Sequence, residues 1–106
     1  MSEFHDAIPV DWIAPGETTV LDVAGYPVAI ANVDGEFCAF QGFCPHQGTV
    51  LGGVPLTRRS LLTCPEHHSV FDVRTGQCVI PSDDGYTGTL TVYETRVVDD
   101  VVQVQL

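Results

Sequence analysis

Hydrophobic positions along this chain fall in short β-branched runs separated by turn residues, and helical periodicity is almost absent. That alternation predicts an all-β, antiparallel sandwich or barrel. Residues 19–23 and 28–32 read as strands separated by Ala24-Gly25-Tyr26-Pro27. Asp34-Gly35 is a strong two-residue hairpin signal that pairs the second of them with residues 36–40. At the far end, 89–98 and 101–106 flank Asp99-Asp100 and predict a closing hairpin. There Val102, Val104 and Leu106 alternate with Gln103 and Gln105, which gives one buried and one wet face.

Between these β arms, from about residue 42 to residue 85, the pattern changes. Strands shorten to Leu61–Thr63, Val70–Asp72 and Cys78–Ile80, with Thr75-Gly76 as the turn between the last two. Gly, Pro, Cys and His concentrate here. A loop-rich insert in a β framework is where function usually sits, so a small inserted subdomain is expected at 42–85 on a framework of 1–41 and 86–106. At 106 residues the chain has room for one domain.

Charge narrows the function. Fourteen acidic residues against four basic ones give a net charge of −10. All four basic residues are arginines (Arg58, Arg59, Arg74, Arg96), so a Schiff-base or P-loop lysine is excluded. A nucleic-acid footprint and docking on an anionic membrane are disfavoured, and a cationic partner is expected. With 44% hydrophobic residues the acidity does not signal disorder. No run approaches the roughly 18–20 apolar residues of a membrane span. The opening Met1-Ser2-Glu3-Phe4-His5-Asp6 lacks a basic region, so no signal peptide is expected and the compartment is read as cytoplasmic. In a reducing compartment, cysteines beside histidines point to metal.

The insert carries such a set. Cys44-Pro45-His46 and Cys64-Pro65-Glu66-His67 form C-x-H, seventeen residues, then C-x-x-H. Two loops thus offer two thiolates and two imidazoles to one small centre. Pro45 and Pro65 stiffen the loops and remove an N–H that would need a partner. Two inorganic readings fit. One is a tetrahedral structural zinc; the other is a [2Fe–2S] cluster with two Cys on one iron and two His on the other. Zinc fingers group Cys with Cys and His with His, whereas each loop here mixes them, which favours the cluster. Other candidates have plainer readings. Cys38 and Cys78 sit in strand-like runs and read as small buried hydrophobes. His5 reads as structural, Trp12 as core or rim, and His68 as a surface hydrogen-bonding residue, with partner docking or ligation in a C-x3-H variant as alternatives. Arg58 and Arg59 read as a solvated hairpin tip that could also neutralise acidic neighbours near a docking face. No general acid–base set or substrate pocket is apparent, so no catalytic residue is assigned.

In its motifs the chain resembles the Rieske [2Fe–2S] proteins. The two ligand loops are followed, in the order typical of that family, by Phe71-Asp72, Thr75-Gly76 and Pro81. The resemblance implies that Cys44 and Cys64 bind the inner iron, and that His46 and His67 bind the outer iron at the protein tip. Its short length is similar to the ferredoxins that serve multicomponent oxygenases. Cys-Pro-His-Gln and the stretch Ile80-Pro81-Ser82-Asp83-Asp84 are most similar to those of toluene and alkene di-iron monooxygenases, with ring-hydroxylating dioxygenase ferredoxins as the alternative. The implied function is a monomeric electron carrier, not itself an enzyme. It would take electrons singly from an NAD(P)H-dependent reductase and pass them to the hydroxylase component of a terminal oxygenase. Further alternatives are the small subunit of a larger redox enzyme and, more remotely, a zinc-stapled interaction module. Against the family pattern, His68 replaces a frequent glycine. Thr49 and Glu66 stand where respiratory members have disulfide cysteines. Ser69 retains one hydrogen-bond donor toward the cluster, and Phe71 loses another.

Overall fold

The computed structural model describes residues 3–45, 48–66, 68–85 and 87–106. Ten strands occur in these residues: β1 (Phe4–Pro9), β2 (Thr18–Val23), β3 (Tyr26–Val33), β4 (Glu36–Gln41), β5 (Leu61–Thr63), β6 (Val70–Asp72), β7 (Cys78–Ile80), β8 (Val92–Tyr93), β9 (Thr95–Val98) and β10 (Val101–Gln105). They form antiparallel sheets ordered β1-β10-β9, β2-β3-β4-β8 and β5-β6-β7. Among the described residues, no helix is long and apolar enough to cross a membrane.

Three two-residue turns set the registers. Ala24-Gly25, Asp34-Gly35 and Asp99-Asp100 all have positive φ, the primed-turn geometry that matches strand twist. Asp22 Oδ1 accepts from the Gly25 amide at 2.8 Å, and Asn32 Oδ1 accepts from the Gly35 amide at 2.7 Å. Because Ala24-Gly25 alone makes the first turn, β3 begins two residues before the expected start, at Tyr26. Pro27 lacks a ladder N–H, but its carbonyl accepts from the Gly42 amide at 3.2 Å.

The wall between the two cores is β3. Its alternate residues Val28 and Ile30 join Ile8, Val23, Val102 and Val104 in one cluster. The intervening Ala29, Ala31 and Val33 join Phe40, Leu51, Leu62 and Phe71 in the other. Small alanines on the second face let the insert approach closely. The expected strand 89–98 is two strands: β8 pairs with β4, Glu94 breaks the run, and β9 pairs with β10 in the other sheet. One chain segment thereby serves two sheets. Trp12, expected in the core or at its rim, is 70% exposed.

Candidate metal centre

Both expected cysteine ligands lie in the core cluster that the insert shares with β3 and β4, 2% and 1% exposed. Each ends a short antiparallel ladder, Phe43 bridging Val50 in the first and Thr63 pairing Val70 in the second. The two hairpins have the same hydrogen bonds at an offset of twenty residues. The Cys44 amide donates to Thr49 O at 2.7 Å and the Gly48 amide to Cys44 O at 2.9 Å. The Cys64 amide donates to Ser69 O at 2.8 Å and the His68 amide to Cys64 O at 3.0 Å. Two equivalent tight loops thus bring their cysteines into one core from matched positions. The expected histidine ligands, His46 and His67, lie outside the described residues.

The equivalence gives His68 the place of Gly48, and both are left-handed, φ +64 and +76. For a residue with a Cβ this conformation costs about 1–2 kcal/mol. The His68 ring reaches the loop after β7, where Nδ1 lies 2.7 Å from Asp83 Oδ2. With both side chains more than 60% exposed, such a pair returns only about 0.2–1 kcal/mol. Glycine would therefore be the more stable choice. In the same loop Ser82 Oγ hydrogen-bonds Asp84, and the Gly85 amide donates to Ser82 O at 2.9 Å. Reading along the chain identified His68 as a surface hydrogen-bonding residue but missed Asp83. Aligning the two loops on their cysteines would have revealed the left-handed position.

Around this end of the molecule the surface is apolar and acidic. Phe43, Val50, Val79 and Ile80 are exposed, together with Pro65 and Pro81, and the carboxylates are Glu66, Asp83 and Asp84. No arginine falls on these loops. Arg59 pairs with Asp34 of the β3–β4 turn at 3.5 Å, and Arg74 with Glu36 at 3.8 Å. Arg96 lies over the Phe4 ring at 4.1 Å. Arg58 and Arg59 are the left-handed hairpin tip expected, but the neighbour that Arg59 meets is Asp34, at the ends of the strands away from the cysteine loops. Cys38 and Cys78 are free and pack against the same core. Burial pushes the Cys38 thiol up, with Arg74 opposing, so it stays a thiol rather than a ligating thiolate.

The fold defines a small all-β protein in which two matched cysteine hairpins close one core. The chain belongs to the Rieske [2Fe-2S] domain family, whose profile matches residues 3–94. It is 36% identical over 81 residues to the ferredoxin component of the alkene monooxygenase system of Xanthobacter autotrophicus, covering 76% of this chain and 66% of that one. To the biphenyl dioxygenase ferredoxin subunit of Pseudomonas sp. KKS102 it is 37% identical over 78 residues, covering 74% and 72%. The matched stretch thus spans just under two thirds of the first relative's length. A chain in the complex of reduced oxygenase and oxidised ferredoxin of carbazole 1,9a-dioxygenase shares the fold at a TM-score of 0.81 and 27% identity, over 93% of this chain and 98% of that one.

Membership decides between the two inorganic readings, since the family's group is a [2Fe–2S] cluster. The residues present fit it. Ser69 Oγ is fully buried beside the Cys64 loop and has no hydrogen-bond partner among the described residues. A buried, unpartnered hydroxyl costs about 1–3 kcal/mol, and a cluster sulfur held by this loop would accept its proton. Ser69→Ala is therefore expected to lower the midpoint potential. A hydrogen bond about 1 kcal/mol stronger to the more negative, reduced state corresponds to roughly 40 mV in a one-electron couple. Protein-film voltammetry checks this, and an unchanged midpoint would rule out the hydroxyl as donor.

Proposed function

We propose that this chain is the electron-transfer ferredoxin of an oxygenase system, with Cys44, His46, Cys64 and His67 as the cluster ligands within the insert 42–85 of a single domain. The bound cluster supplies a one-electron couple whose potential neutral imidazoles raise above that of all-cysteine clusters. The chain's own residues bury the thiolate side and leave the other side open. That placement carries the reading: Cys44 and Cys64 lie in the core, while Pro65, Glu66 and His68 of the same loops are exposed. Electrons can cross such a surface without a substrate entering. A cleft of about 280 Å³ between β4, β8 and the β6–β7 turn is lined by Cys38, Arg74 and Glu94 among others, and by no residue of the cysteine loops.

The partners are an NAD(P)H-dependent reductase and the hydroxylase component of a terminal oxygenase, each meeting the same end in turn. Glu66, Asp83 and Asp84, on loops whose sequence holds no arginine or lysine, call for a cationic rim on the partner, around an apolar centre. Arg59 and Arg74 pair instead with Asp34 and Glu36. Raising ionic strength from about 20 to 200 mM is expected to slow reduction by the reductase severalfold, because exposed charges are screened beyond about 10 Å at 0.1 M. Stopped-flow bleaching of the cluster reads this, and a salt-independent rate would remove the electrostatic argument. Net charge of −10 favours a monomer through self-repulsion, and the free Cys38 and Cys78 suit the reducing cytoplasm.

A di-iron alkene or aromatic monooxygenase is the favoured terminal partner, on the similarity to the Xanthobacter component. The biphenyl dioxygenase relative, at nearly the same identity, supports a dioxygenase instead. Reconstitution decides between them. The chain is mixed with NADH, an NADH-dependent reductase and each purified terminal oxygenase, and only the cognate pair should couple NADH oxidation to product. An oxidised state silent in EPR that gives a rhombic signal on reduction supports the ligand set. A colourless protein holding zinc and no iron would overturn it.

A further inference from the structure

We propose that His68 is a positioning residue that clamps the loop after β7 across the second cysteine loop. This rests on the ligand assignment above. Three observations carry it. His68 holds a left-handed backbone at the position that Gly48 takes in the equivalent first loop. Its Nδ1 lies 2.7 Å from Asp83 Oδ2, fifteen residues on. The ordering of that loop continues through the Ser82–Asp84 bond and the Ser82–Gly85 turn.

The chemistry fixes the direction of the contact. A carboxylate only accepts, so Nδ1 carries the proton and donates it to Asp83. The ring is then held in one orientation, bridging two loops between which no backbone hydrogen bond joins the described residues. The β6–β7 ladder reaches only to the Val70–Ile80 pair. Beyond that pair one chain leads back through Ser69 to Cys64 and the other on through Pro81 to Asp83. A side-chain bond across this opening closes the flank of the second ligand loop. Strained positions that cost more than their local contact returns are retained where the arrangement itself is used. Here that use is to keep the third loop over the side of the metal centre and to hold the Asp83 carboxylate at the docking end.

The test compares the holoprotein with His68→Gly, Asp83→Ala and Asp83→Asn. Two readouts are taken: bleaching of the visible absorption by excess iron chelator, and hydrogen exchange of the amides of residues 82–85. Asp83→Ala and His68→Gly should bleach about three- to tenfold faster and exchange faster in that loop. Asp83→Asn should match the wild type in both, because the amide oxygen accepts the same bond without the charge. Asp83→Asn behaving like Asp83→Ala would overturn the clamp in favour of a charge effect. Wild-type rates in all three variants would overturn it outright. A wild-type chain that holds no iron would instead overturn the ligand assignment, and amide exchange on the same proteins would still decide the clamp.

Discussion

Cys64→Ser is expected to yield a chain without iron or visible colour, whereas Cys38→Ser and Cys78→Ser keep both. The difference arises from where each cysteine sits. Cys64 and Cys44 occupy matched positions at the ends of two hairpins, 1% and 2% exposed, each followed by a proline that removes a competing donor. Serine cannot supply the soft thiolate that iron–sulfur chemistry requires, and its hydroxyl in this core adds a desolvation cost of about 1–3 kcal/mol. Cys44→Ser should behave alike because its loop has the same hydrogen bonds. Cys38 is held as a neutral thiol by burial, and Cys78 Sγ already lies 3.2 Å from Ile80 O. Iron per chain and the visible spectrum of each variant check this. An iron-replete Cys64→Ser protein would remove Cys64 from the ligand set.

Features set by neighbouring residues were legible along the chain, and features set by distant ones were not. Asp34-Gly35 and Asp99-Asp100 declare their turns because few residues accept left-handed φ at two successive positions. The short strands β5, β6 and β7 and the turn at Thr75-Gly76 stand where the apolar pattern places them. By contrast, 89–98 is one β-favouring run whose break at Glu94 arises only because β4 and β10 lie in different sheets. Trp12 is an apolar residue in a surface turn, and no local pattern separates that from a core tryptophan. In the site, spacing singled out Cys44, His46, Cys64 and His67 as candidates, and the structure places the two cysteines in one core. The His68–Asp83 contact joins two loops that meet only after β6 and β7 have paired, so no motif announces it. The partner of Arg59 likewise depended on which hairpin tip the fold brought beside it.

Gly76→Ala is expected to destabilise the chain strongly. Gly76 closes the β6–β7 turn, its amide donating to Asp72 O at 2.7 Å while its carbonyl accepts from the Leu90 amide at 2.7 Å. A Cβ there would lie 2.1 Å from Leu90 O and 3.1 Å from Leu90 C, with φ already at +80. The obstruction is backbone, so no rotamer relieves it. Leu90 is itself buried in the cluster that contains Cys44 and Cys64. Making room would lift the β6–β7 turn off the chain leading into β8 and open the core beneath the metal centre. Left-handed strain contributes about 1–2 kcal/mol, and the lost bond with the loosened packing brings the total to about 3 kcal/mol or more. For a domain of this size that lowers the melting temperature by roughly 15 °C. Gly53 is the control: it has the same φ of +80, but nothing lies within 4 Å of its ideal Cβ. Gly53→Ala should therefore show the strain alone. Calorimetry of the two variants separates the terms, and equal melting temperatures would mean that the Leu90 contact does not hold the insert to the sheet.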